Sequence, residues 1–171
     1  LYNYLKPTPA DIFNKFYTKY GGINEFSRIT ASPPMGMLNS GLQILCLKLT
    51  KPKIYNQIKY ILHFPQYLSF LLSGKITSEF TSVGCHTAMW NFDKKCYHRW
   101  LNDENINLPE PVKNDFFTQI VFNGQKTNIG VGIHDSSASL VPYLIQNQEK
   151  FILISTGTWC VFMNPFNDEP L

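Results

Sequence analysis

Apolar side chains recur at helical spacing from the first dozen residues onward. In DIFNKFYTKYGG, Ile12, Phe13, Phe16, Tyr17 and Tyr20 share one face, which predicts a helix lying on a core. Asp11 stands at its start and Gly21-Gly22 at its end, the residue types that open and close helices. ITASPPMGM is expected to be a loop, because Pro33-Pro34 bars regular structure. NSGLQILCLKLT is apolar nearly all round and is predicted to be a buried helix ending at or just before Pro52. KIYNQIKYIL predicts a short helix. PQYLSFLLSG predicts another, with Pro65 in its first turn and Gly74 at its C-terminal cap.

The pattern changes further along. SEFTSVGCHTAMW has no clear period and is expected to form a loop followed by a short helical turn. KKCYHRWLNDEN is predicted helical and LPEPVKN a loop. NIGVGI reads as a short strand. SSASLVPYLIQ reads as a helix, with Pro142 in its first turns or bending it. KFILISTGTWCVFMN reads as two strands around Thr156-Gly157, a hairpin by its turn chemistry. Helices, then strand and helix, then a hairpin point to an α/β architecture. The composition breaks near Gln146 to Lys150, so the boundary between two units is placed there.

Composition narrows the function classes. The 171 residues are 44% hydrophobic and 15% aromatic, enough for a sizeable core, while charged residues are only 16%. The net charge is +3, and the densest basic cluster, Lys48, Lys51 and Lys53, makes no stripe. A nucleic-acid partner is therefore not expected. No run approaches the roughly eighteen apolar residues of a membrane-crossing helix, so no membrane partner is expected. No signal-peptide pattern opens the chain. Cys46, Cys85, Cys96 and Cys160 are irregularly spaced, which suits reduced thiols in a cytoplasmic protein. The chain opens without Met and stops directly after a strand-like run, so it is read as part of a longer protein.

Three constellations carry candidate chemistry. In GIHDSSAS, Asp135 follows a strand and opens a helix, where open α/β sheets place ligands. A carboxylate there can take a proton from a substrate hydroxyl if it stands about 3 Å away. His134 and Ser136 beside it could hydrogen-bond a polyol. The competing reading is an N-cap, with Asp135 accepting from the amides of Ser137 or Ala138, worth about 1 kcal/mol. In LISTGTW, the hydroxyls and amides of Thr156, Gly157 and Thr158 could cradle phosphate oxygens, or simply form a turn. Cys85, His86, Cys96 and His98 are zinc-ligand types at a spacing that fits no standard finger, so no metal site is assigned. Asp93, Asp103, Glu104 and Glu110 read as solvated. Trp90, Trp100 and Trp159 read as core or loop anchors, with a sugar platform the alternative.

Together, GIHDSSASL, FILISTGTW, SFLLSGKITSEFTSVGCHTAMWNFD and NSGLQILCLK resemble the FGGY carbohydrate kinase family, and within it the rhamnulokinase- and fuculokinase-like members. The resemblance lies in the order and spacing of these segments and covers nearly the whole chain. It implies an actin-like, ribonuclease-H-like ATPase fold of two domains with a cleft between them. Residues 1–148 would then belong to the N-terminal, sugar-binding domain and 149–171 would open the nucleotide-side domain. The resemblance puts the catalytic base on Asp135 and sugar contacts on His134 and Ser136. It puts phosphate contacts on Thr156, Gly157 and Thr158, and a sugar-lining loop on Gly36 to Asn39. It implies ATP with Mg2+ and a sugar, a ketose by preference, as partners. The family's N-terminal phosphate loop and its adenosine pocket are not found in these residues, so the chain alone is expected to be inactive. The alternative is a non-catalytic sugar sensor on the same fold.

Overall fold

The computed structural model describes residues 2–146, 149–157, 159–167 and 169. Helix α1 (Ala10–Lys19) forms where the first apolar stripe predicts it, and it buries Phe13, Phe16 and Tyr17. Gly21 and Gly22 stop it with φ of 99° and 86°. A second helix, α2 (Ile23–Thr30), follows directly and ends on Ala31 in the left-handed region. Its signal is weak, because only Phe26 and Thr30 turn inward. Part of the expected ITASPPMGM loop is thus helical, and Gly36–Leu38 adds a single tight turn.

Helix α3 (Ser40–Thr50) runs through the core and buries Gly41, Leu42, Ile44, Leu45 and Cys46. Gly41 is required by packing. A Cβ there would lie 2.6 Å from the Thr87 carbonyl oxygen and 2.9 Å from the Trp100 ring. Its amide donates to that same carbonyl at 2.9 Å. Pro52 opens α4 (Pro52–Tyr55), which is shorter than KIYNQIKYIL predicts. The rest of that stretch leads without regular structure into α5 (Phe64–Ser73), which closes on Gly74 at φ 68°.

KKCYHRWLNDEN corrects the sequence expectation. Strands β2 (Trp90–Asn91) and β3 (Cys96–Tyr97) pair antiparallel, and only α7 (Trp100–Asp103) is helical. The cause is local: Asn91 Oδ1 accepts the Lys94 amide at 2.9 Å and closes a tight turn, and Trp90 packs edge-on against Tyr97 across the pair. Preceding it, β1 (Ser78–Glu79) leads into α6 (Phe80–Gly84). LPEPVKN contributes β4 (Pro111–Val112), which pairs parallel with β1.

The core gathers around Trp100. Phe16 stands edge-on to Trp100, Tyr17 and Phe26, with ring centroids 5.0 to 5.5 Å apart. The Trp100 indole N–H donates to the Ala88 carbonyl at 2.6 Å. His98 lies against Phe26 and Tyr20, and its Nδ1 accepts the Trp100 amide at 3.2 Å. Burial holds the His98 pKa down at about 4. Glu104 is not simply solvated: it receives both Lys19 and Lys48.

Strands β5 (Phe117–Phe122) and β6 (Gln125–Gly130) form a six-residue antiparallel hairpin around Asn123-Gly124. NIGVGI is therefore strand only as far as Gly130. Helix α8 (Asp135–Gln146) runs through Pro142, which sits neither in its first turn nor at its end. Strands β7 (Leu153–Thr156) and β8 (Cys160–Met163) form the hairpin expected from the sequence, with Thr156 opposite Cys160, whereas the β5–β6 hairpin was not expected. Phe151 ties its base to α8 through Tyr143. Among the described residues no helix is long and apolar enough to cross a membrane, and the four cysteines are unpaired.

Candidate active site

Residues Val131 to His134 join β6 to α8 outside any strand ladder, and buried polar backbone needs partners. Side chains supply most of them. Gln66 on α5 is fully buried and donates its Nε2 to the Gly132 carbonyl at 2.7 Å. Ser69, one turn on, donates to the Gly130 carbonyl at 2.8 Å. Helix α5 thus turns its polar residues inward and leaves Leu68, Leu71 and Leu72 exposed, the reverse of an ordinary amphipathic helix. The approach is close: a Cβ on Gly132, which sits at φ 80°, would lie 2.8 Å from the Pro65 carbonyl oxygen.

Asp135 stands at the exit of this segment with its side chain 93% exposed. Its Oδ1 accepts the Ser136 amide at 2.7 Å and lies 3.2 Å from His134 Nδ1. The amide of Ala138 goes instead to the His134 carbonyl at 2.8 Å. The capping pattern expected as the competing reading does not form, and Oδ2 takes no hydrogen bond from a described residue. An open cleft of about 640 Å³ runs from Asp135 and His134 between Gly130 and Ile133 on one side and Pro65 and Leu68 on the other.

Burial, and then the neighbouring His134, hold His63 down at about 4. The same two causes lower His86. At neutral pH neither imidazole is charged. Burial, and then the charge of Asp135, raise the Cys85 thiol, so it stays protonated.

His134 and Asp135 line this cleft, and Ser136 follows them in the first turn of α8. Thr156 and Gly157 lie on the exposed β7–β8 turn, and Thr158 lies outside the described residues. Among the described residues nothing beyond its chain neighbours would meet a Cβ on Gly157 within 4 Å, and its amide is given to the Trp159 carbonyl at 3.1 Å. The loop Gly36 to Asn39 does not act as one wall. Met37 and Asn39 are fully buried, and the Asn39 side chain is spent on Met35, Pro33 and His86 backbone. Cys85, His86, Cys96 and His98 do not converge. Cys96 is exposed, His98 is in the aromatic core, and no group of three metal-ligating side chains is placed for an ion among the described residues.

Residues that sequence reasoning missed are those holding the segment: Gln66, Ser69, Glu79 and Thr81. Their only signal is a buried-type position filled by a polar residue, as in the Gln66/Ser69/Ser73 spacing on an otherwise apolar helix.

No family model matches the chain. Over 137 residues it is 28% identical to a rhamnulokinase of Oceanobacillus iheyensis, covering 71% of this chain and 27% of that protein. A carbohydrate kinase from Novosphingobium aromaticivorans superposes with a TM-score of 0.78 at 22% identity, over 95% of this chain and 37% of that one. A xylulose kinase from Lactobacillus acidophilus superposes with a TM-score of 0.63 at 19% identity, over 77% and 29%. The chain therefore spans well under half the length of the relatives it matches. The chain thus shares the fold of these two carbohydrate kinase structures and is similar in sequence to a rhamnulokinase, in each case over one stretch of their length.

Proposed function

We propose that this chain is part of an ATP-dependent sugar kinase in which Asp135 is the general base. The observation that carries the reading is the Asp135 carboxylate itself. It is exposed at the mouth of a cleft, with one oxygen free of any described hydrogen-bond partner. The names of the relatives, rhamnulokinase and xylulose kinase, support a sugar as acceptor and favour a ketose.

On this reading Asp135 Oδ2 accepts the proton of a sugar hydroxyl, the terminal one of a ketose. That oxygen forms a bond to the γ-phosphorus of ATP as the bond to the bridging oxygen breaks, and ADP leaves with the electron pair. His134 and Ser136 hydrogen-bond neighbouring hydroxyls. Thr156, Gly157 and Thr158 face the phosphates, and since the Gly157 amide is engaged within the turn, the threonine hydroxyls carry that role. Mg2+, when bound, neutralises phosphate charge. The described residues offer it no ligand cluster, so it would enter on the nucleotide. Phosphoryl transfer asks mainly for positioning and charge stabilisation, and a rigidly held carboxylate suits that demand. The 171 residues taken alone are expected to be inactive, and residues 149–171 are assigned to the nucleotide side.

The test is Asp135→Asn in the intact protein, assayed for ATP-dependent phosphorylation across a panel of ketoses. Turnover should fall by about 10² to 10⁴ while the sugar KM stays within a few-fold. Near-normal turnover would remove Asp135 as the base.

A further inference from the structure

We propose that Thr81, held by the buried Glu79, is a positioning residue that sets where Asp135 stands. This rests on the reading of Asp135 as the base. Glu79 has no exposed surface, and among the described residues no cation pairs with its carboxylate. It accepts the Thr81 amide at 2.9 Å, the Thr81 hydroxyl at 2.6 Å and the Ser82 amide at 3.2 Å. A hydroxyl has one proton to give. Because Thr81 gives it to Glu79, the oxygen presents lone pairs elsewhere, and one of them receives the His134 amide at 2.9 Å.

That amide is one residue before Asp135 in a segment that has left the β6 ladder. Gln66 and Ser69 grip the carbonyls of Gly132 and Gly130 from α5. Thr81 grips the amide of His134 from α6, 53 residues away in sequence. The α5 contacts fix the segment upstream, and the α6 contact is the last anchor before the carboxylate. The Thr81 hydroxyl donates to Glu79 and accepts from the His134 amide, and hydrogen bonds chained in this way strengthen one another. Misplacing a catalytic group by about 1 Å can cost about 10²-fold in rate.

Thr81→Val keeps the shape and removes both hydrogen bonds; Thr81→Ser keeps them. In the intact protein, Thr81→Val should lower kcat about 10- to 100-fold with the sugar KM within about threefold. Hydrogen exchange at the His134 amide, read by NMR, should accelerate about two- to tenfold, the worth of one such bond. Thr81→Ser should restore both. A role in folding alone would lower the melting temperature and the active fraction but leave kcat per folded molecule and His134 protection unchanged, and that result overturns the proposal. So does a Thr81→Ser variant as slow as Thr81→Val, or a KM effect with kcat unchanged. An inactive Asp135→Asn beside a fully active Thr81→Val sinks this anchor alone. An active Asp135→Asn sinks the base, while His134 exchange still reads the anchor.

Discussion

Replacing Gly132 with Ala tests how closely α5 presses on the backbone that carries Asp135. Gly132 sits at φ 80°, and a Cβ there would lie 2.8 Å from the Pro65 carbonyl oxygen and 3.0 Å from Pro65 Cβ. Two costs are expected. The left-handed conformation costs an L-residue about 1 to 2 kcal/mol. Backbone cannot swing aside as a long side chain can, so the overlap adds about 1 to 3 kcal/mol. A smaller opposing term comes from the unfolded chain, which Ala stiffens by about 0.4 to 1 kcal/mol. The net for Gly132→Ala is about 1 to 4.5 kcal/mol. Two other glycines separate these terms. Gly124 has φ 78° and nothing within 4 Å of its Cβ position, so Gly124→Ala meets only the conformational cost, about 1 kcal/mol. Gly130 has open space and no positive φ, so Gly130→Ala should be neutral or slightly stabilising. Denaturant midpoints of the three variants in the intact protein read the ranking. On the proposed reading, ATP-dependent sugar phosphorylation should fall only for Gly132→Ala, because of the three only Gly132 would bring a Cβ against the α5 backbone. Equal midpoints for Gly132→Ala and Gly124→Ala would show that Pro65 yields freely and refute the tight-contact argument.

Other outcomes follow from the core. His98 has its pKa lowered to about 4 by burial, from an unfolded value near 6.5. The unfolded chain therefore binds the proton first. The stability due to the neutral ring is complete above about pH 6.5 and is lost as pH falls toward 4. His63, lowered to about 4 by burial and by His134, adds a parallel loss. Melting temperatures should drop steadily over that window, and His98→Gln should flatten the profile; an unchanged profile would contradict the burial argument. Trp100→Phe removes the indole donor and strands the Ala88 carbonyl. With the volume lost from a fully buried site, it should destabilise by about 2 to 4 kcal/mol, measured by urea unfolding, and a loss under about 0.5 kcal/mol would refute it.

Much of this architecture is written in local pattern. The stripes of Phe13, Phe16 and Tyr17, and of Leu42, Leu45 and Cys46, identify α1 and α3, because burial on one face repeats at the helical period. Gly74 and Pro65 bracket α5 through backbone preferences that need no partner. Thr156-Gly157 marks the β7–β8 hairpin. Asn123-Gly124 has hairpin turn chemistry as well, yet β5–β6 was not expected from the sequence, because the strand pattern around it is blurred by Gln119, Lys126 and Asn128. The short pairs were not legible: β1 with β4 joins residues some thirty positions apart, and β2–β3 overrides a helix-like composition because Trp90 and Tyr97 pack across it.

The residues at the candidate site divide the same way. His134, Asp135 and Ser136 are adjacent in sequence, so a strand-to-helix junction alone brings them together. Whether Asp135 caps its helix or faces a cleft was open in the sequence, because the same Asp-Ser-Ser suits both. The structure decides it twice over: the first turn of α8 gives the Ala138 amide to the His134 carbonyl, and the packing of α5 beside the junction leaves the carboxylate exposed at a cleft. Gln66, Glu79 and Thr81 lie 50 to 70 residues upstream of that carboxylate and reveal their role only when α5 and α6 close around it. Local preference acts through neighbouring backbone and is therefore readable residue by residue. The partners of an unladdered backbone are chosen by packing, which no stretch of sequence holds on its own.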